Sequence, residues 1–122
     1  TDVTGFGLVG HALNLARGSG VTLELRYDAL PVHDAFHRLA KAGVSTGCTA
    51  ANRAAAEPWF ASHRELAAAE VELLFDPQTS GGLLLSVPAD AAGPLLADLL
   101  AGGHRAAEIG EVAAGPPGVA VR

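Results

Sequence analysis

The sequence predicts an α+β fold, a mixed and mainly antiparallel sheet with helices on one face, and three observations predict it. Apolar residues recur at helical spacing over 8–16, over 32–40 and again over 95–100. VTLELRYD, starting at Val21, alternates apolar and polar side chains as a half-buried strand does. Further short apolar runs, VELLF, LLLSVP and EIGEV, are separated by stretches rich in turn formers or by the third helical pattern.

Each element follows in order. After TDVTGFG, Leu8, Val9, Ala12, Leu13, Leu15 and Ala16 form the apolar stripe of a first helix, with His11, Asn14 and Arg17 opposite; Gly18 and Gly20 stop it. The alternating strand comes next. PVHDAFHRLAKAG then reads as a helix opened by Pro31, closed by Gly43, with Val32, Ala35, Phe36, Leu39 and Ala40 on one face. STGCTAANR reads as loop, and AAAEPWFASHRELAAAE as helical pieces broken at Pro58. Val71–Phe75 reads as a short strand, DPQTSGG as a loop, and Leu83–Pro88 as a strand covered on both faces. A helix over Ala89–Ala101 buries Leu95, Leu96, Leu99 and Leu100 despite Pro94, and Gly102 and Gly103 end it. AAEIGEV is another strand, GPPG a turn, and VAVR a last strand or tail. After the opening helix the order is strand, helix, strand, strand, helix, strand, a ferredoxin-like βαββαβ core with an extra N-terminal helix. The opening helix and the middle segment are candidates to cover the sheet's second face.

The 122 residues suit one domain, 1–122, and 49% apolar content can fill a core. With no methionine, the chain reads as a piece of something longer. A formal charge of −5 with scattered basic residues argues against nucleic-acid binding through a basic surface. A single cysteine, Cys48, excludes an intramolecular disulfide and a cysteine zinc site, and suits a reducing compartment. No signal peptide shows at the amino end, and no apolar run approaches the ~20 residues of a membrane span. A cytoplasmic protein with no membrane partner is expected.

Two loops carry chemistry. In TDVTGFG, Asp2 can ligate a hard cation such as Mg²⁺, which takes oxygen ligands and leaves room for substrate phosphates. Thr4 can cap the helix or bond a phosphate oxygen, and Gly5 and Gly7 let the backbone approach it. An ordinary helix entry explains the same residues. In DPQTSGG, Pro77 stiffens the turn, Thr79 and Ser80 offer hydroxyls, and Gly81 and Gly82 permit close approach. A hairpin between two strands explains most of that loop, although about two to five residues suffice for a hairpin.

TDVTGFGLVGH and LLFDPQTSGGLLLSVP closely resemble the signature segments of the carboxyl-terminal half of the selenide, water dikinase (selenophosphate synthetase) family, as do GCTAANR and EIGEV. The resemblance covers essentially the whole chain, with Val9 where the family typically has leucine. It implies the carboxyl-terminal α/β half of a two-domain synthetase, from the superfamily that includes aminoimidazole ribonucleotide synthetase. The activity implied is conversion of selenide, ATP and water into selenophosphate, AMP and phosphate with Mg²⁺. The resemblance transfers one functional residue, Asp2, which matches the aspartate that helps hold magnesium beside the ATP phosphates; Thr4, Gly5, Thr79, Ser80 and Gly81 are carried as candidate cleft-lining positions. The family's catalytic cysteine or selenocysteine, its lysine and its other magnesium aspartates belong to the amino-terminal half. No catalytic residue is therefore assigned here, and the implied partners are the chain's own N-terminal domain and a second subunit of a homodimer. Alone, the piece is expected to be inactive. Two alternatives stand beside it. One is the carboxyl half of a hydrogenase-maturation or thiamine-monophosphate kinase type enzyme, against which DPQTSGG argues. The other is a non-enzymatic ferredoxin-like ligand-binding module.

Other residues read as structural. His11 is expected to be solvated or capping, and His33 and His37 to sit on an exposed helix face although one turn apart. Asn52 and Arg53 are expected to bridge the middle loop, Cys48 to be a buried or loop thiol, and Trp59 to lie in the core or at a domain interface. A docking face for a second domain should appear as an apolar patch.

Overall fold

The computed structural model describes residues 1–122 as an α+β unit with a four-stranded mixed sheet. The helices are α1 (Gly7–Ser19), α2 (Phe36–Lys41), α3 (Thr49–Ala56), α4 (Ala68–Phe75) and α5 (Ala89–Ala101). The strands are β1 (Thr22–Leu25), β2 (Phe60–Ser62), β3 (Gly110–Ala113) and β4 (Gly118–Val121), ordered β2-β4-β1-β3. β1 pairs antiparallel with β3, but β4 runs parallel to both β1 and β2, so the sheet is mixed with two of its three pairings parallel. This corrects the mainly antiparallel expectation. The cause is that no hairpin joins β2 to its neighbour; fifty-five residues separate Ser62 from Gly118.

The α1 stripe does what its spacing dictates. Val9, Ala12 and Ala16 are fully buried and Leu13 nearly so, against Leu23, Leu25, Val119 and Val121 of β1 and β4. α3 and α4 pack on α1, where Phe75 meets Phe60 of β2 edge-on at 5.2 Å between centroids. Along β1 the buried leucines alternate with Thr22 and Glu24, the period-2 signature of a strand with one covered face. On the other face Glu24 and Glu111 stand directly opposite each other in the β1–β3 register, where like charges repel. The Arg122 guanidinium relieves this by pairing with both carboxylates.

Six element expectations are corrected. VELLF is the end of helix α4, not a strand. The Glu70 carboxylate accepts the Ala67 N–H at 2.8 Å and holds the helix start, while Arg64 pins that carboxylate with two further bonds. Residues 83–88 are not a sheet strand; their one ladder contact is an antiparallel bridge between Leu83 and Asp2. The βαββαβ order is thereby replaced, because the second strand is the three-residue β2, inside the segment expected to be helical. GCTAANR, expected as loop, supplies the first turns of α3. α5 forms over the expected residues and tolerates Pro94 within its first turns, but it buries no residue, and Leu100 is 53% exposed. α2 is shorter than expected and likewise buries none.

Candidate functional site

Two segments that are remote in sequence meet along one rim. The opening residues run antiparallel to residues 82–84: Val3 N–H donates to the Gly82 carbonyl at 2.9 Å, and Leu84 N–H to the Thr1 carbonyl at 2.8 Å. Farther along, the Gln78 N–H donates to the Thr4 carbonyl at 3.0 Å, which ties the DPQTSGG loop to the turn that opens α1. Gly81 lies directly on the Val3 carbonyl, and a β-carbon at that position would occupy the same space. Its glycine is therefore required by the contact between the two loops.

Gly7 seals the other end of the junction. Its φ of +71° favours glycine, and a β-carbon there would lie 2.8 Å from the Phe75 carbonyl carbon and 3.0 Å from the Asp76 oxygen. Asn52 completes the tie, its amide donating to the Gly5 carbonyl at 2.9 Å and to the Phe75 carbonyl at 3.0 Å. One side chain of α3 thus satisfies the last carbonyl of α4 and a carbonyl of the opening turn.

On this framework Asp2 is exposed, and its carboxylate makes no hydrogen bond or ion pair within the chain. Thr79, Ser80, Gly81 and Gly5 are exposed too, and the Thr79 and Ser80 hydroxyls have no intrachain partner. Asp2 and the glycine-bearing bends therefore share one side of the molecule. Thr4 differs from its expected role: its hydroxyl neither caps α1 nor points free, but shares a 3.0 Å hydrogen bond with His11 Nε2. His11 itself is 8% exposed, with the Phe6 ring 5.6 Å away, so the solvated or capping reading of this histidine is corrected. The Thr4 hydroxyl, seven residues back in the turn before α1, gives the buried imidazole a hydrogen-bond partner.

Asp76, the first residue of DPQTSGG, is a rim carboxylate that sequence reasoning did not single out. Burial, with Glu72 nearby, holds its carboxyl above the ordinary aspartate range, opposed by the Gln78 amide at 2.8 Å. The signal was the acid's position at a helix end before proline. A second cluster, also missed, lines a shallow cleft beside α3: the Glu72 carboxylate accepts hydroxyls from Ser45 and Thr49 at 2.9 and 2.8 Å. Cys48 is an exposed loop thiol just before α3, and Trp59 is 40% exposed with the Arg17 guanidinium 4.5 Å above its ring.

A magnesium ion takes six oxygens and usually keeps one or two protein carboxylates, with waters and phosphates supplying the rest. The free Asp2 carboxylate fits such a contribution. No group of three or more His, Cys, Asp or Glu side chains that could hold a metal ion gathers in the chain. No helix is long and apolar enough to cross a membrane.

A mixed sheet roofed by α1, with two glycine-bearing bends sharing a rim, defines a class: the chain belongs to the family described as AIR synthase related protein, C-terminal domain, whose model matches residues 1–122. Relatives named selenide, water dikinase are among those this chain is similar to. It is 47% identical over 116 residues, 94% of this chain and 33% of the relative, to selenide, water dikinase of Burkholderia pseudomallei (strain K96243). It is 42% identical over 126 residues to selenide, water dikinase of Pseudomonas straminea, covering 99% of this chain and 34% of that protein. Selenide, water dikinase 2 of Peptoclostridium acidaminophilum is 38% identical over 109 residues, 89% of this chain and 31% of its own. The chain spans about a third of the length of the curated relatives it matches.

Proposed function

We propose that residues 1–122 are the C-terminal domain of a two-domain selenide, water dikinase, which makes selenophosphate, AMP and phosphate from selenide, ATP and water. The observation that carries this reading is identity of 38–47% to proteins of that name over nearly the whole chain. Those relatives do not favour the hydrogenase-maturation, thiamine-monophosphate kinase or ligand-module alternatives.

In this reading the domain supplies one wall of the ATP cleft. Asp2 would hold Mg²⁺, whose chemistry is to neutralise charge on the phosphate oxygens during transfer. Thr79 and Ser80 offer free hydroxyls to a phosphate, and the exposed glycines at 5 and 81 leave their main chain approachable. His11 fixes the Thr4 hydroxyl, and Asn52 keeps the two bends in register. The nucleophile lies in the N-terminal domain, so the domain alone has half a site and no turnover. A homodimer working in the cytoplasm completes the proposal.

The test is Asp2→Asn in the full-length enzyme. Mg²⁺-dependent, selenide-dependent ATP consumption should fall on the order of 100-fold, since a metal clamp on phosphoryl transfer contributes several kcal/mol. An unchanged Mg²⁺ titration refutes the role of Asp2.

A further inference from the structure

The extended segment from Gly82 to Val87 has only part of its hydrogen-bonding capacity in use. Thr1 and Leu84 exchange both main-chain bonds, at 2.9 and 2.8 Å, and Asp2 faces Leu83 as the adjoining non-hydrogen-bonded pair. Beyond Leu84 the partner side of this ladder stops at Thr1, the first residue described. Leu85, Ser86 and Val87 run on with no main-chain hydrogen bond within the chain. Their side chains alternate as in a strand: Leu83, Leu85 and Val87, at 73%, 52% and 37% exposed, share one face, while Leu84 is 8% exposed on the other. An open, apolar strand edge of this kind is a template for another strand.

The geometry points to one occupant. Resting on the two-domain reading above, the residues that immediately precede Thr1 in the longer protein continue the antiparallel ladder along Leu85–Val87. The direction and the register are already set by the Thr1–Leu84 pair. The residue before Thr1 faces Leu85 without hydrogen bonds, the second before it exchanges both main-chain bonds with Ser86, and the third faces Val87. The ladder ends there, because the next hydrogen-bonded position is Pro88, which has no N–H, and α5 follows. Asp2 then lies inside a strand rather than at a chain end. Its carboxylate is held on the face that carries Leu83 and Leu85, at a position set by the ladder on both sides. The strand that joins the two domains and the strand that aims the metal-binding carboxylate are one and the same.

Two measurements on the full-length protein test this. Amide exchange at Ser86 should be slowed about 100-fold relative to the 122-residue chain, as a paired strand amide differs from an open edge. A cysteine at the position before Thr1 should form a disulfide with Leu85→Cys, because non-hydrogen-bonded pairs bring Cα atoms to about 4.5 Å. It should not pair with Ser86→Cys, which lies on the opposite face. Exchange at Ser86 as fast in the full-length protein as in the shorter chain, or equal cross-linking of both variants, overturns the ladder. If that same protein still consumes ATP with selenide, the proposed function stands without the ladder. A protected Ser86 in a protein lacking that activity upholds the ladder and sinks the function alone.

Discussion

Replacing Gly7 by alanine tests the junction between the opening turn and the end of α4. Two costs combine at this residue. The φ of +71° puts an L side chain in the left-handed region, at about 1–2 kcal/mol. The added methyl would also sit 2.8–3.0 Å from three main-chain atoms of Phe75 and Asp76, which cannot rotate aside as a side chain could. Overpacking of this kind costs about 1–3 kcal/mol, so the sum is about 2–5 kcal/mol. Two other glycines separate the terms. Gly20 has φ of +69° with nothing within 4 Å, so Gly20→Ala should carry the conformational cost alone, and Gly5, with neither feature, should change stability by less than about 0.5 kcal/mol. Equilibrium urea unfolding reads the series. With a slope of about 2 kcal/mol per molar, a loss of 3 kcal/mol lowers the midpoint by about 1.5 M. If Gly7→Ala and Gly20→Ala unfold at the same urea concentration, the two backbones are not packed there and the rim described above is wrong.

Two further outcomes follow from the same region. Asn52→Ala removes the donor to the Gly5 and Phe75 carbonyls; unfolding should become easier by about 1–3 kcal/mol, and Asn52→Asp, which loses the donor but keeps the shape, should not rescue it. Asp76 carries a raised carboxyl, so its contribution to stability is fully present below the ordinary aspartate value and is lost as pH rises through the raised one. Asp76→Asn should therefore match the parent in strongly acidic solution and exceed it at neutral pH in thermal unfolding; a constant difference across that range refutes the buried-acid account.

How far the sequence discloses the fold depends on which force decides each element. α1 and β1 were legible because their apolar periods coincide with what they bury, Val9, Ala12 and Ala16 on one side and Leu23 and Leu25 on the other. VELLF was not, since a short apolar run fits a strand or a buried helix equally, and the deciding bond comes from Glu70, outside the run. Leu83–Pro88 has the composition of a covered strand, yet Leu83, Leu85 and Val87 are exposed and the run makes only one bridge, to Asp2, so the apolar pattern does not mark a position in this sheet. The α5 leucines tell the same story: Leu95, Leu96 and Leu99 are half-buried only. At the rim the two glycine-rich bends come together, while His11 was read as solvated or capping and Asp76 was not singled out. Their placement depends on contacts with Phe6, Glu72 and Gln78 that periodicity does not encode.

The strand order β2-β4-β1-β3 has a consequence for how the molecule is made. β4 is made after the sheet's other three strands, yet it fills the slot between β1 and β2, with Val119 beside Leu23 some 96 residues upstream. Until Gly118–Val121 emerges, the first strand has no parallel neighbour and the α1 leucine stripe has half of its floor missing. Pairings this distant are slow to form, because the loop must close before any contact rewards it. A nascent chain of this domain therefore keeps its central seam open until Gly118–Val121 has been made.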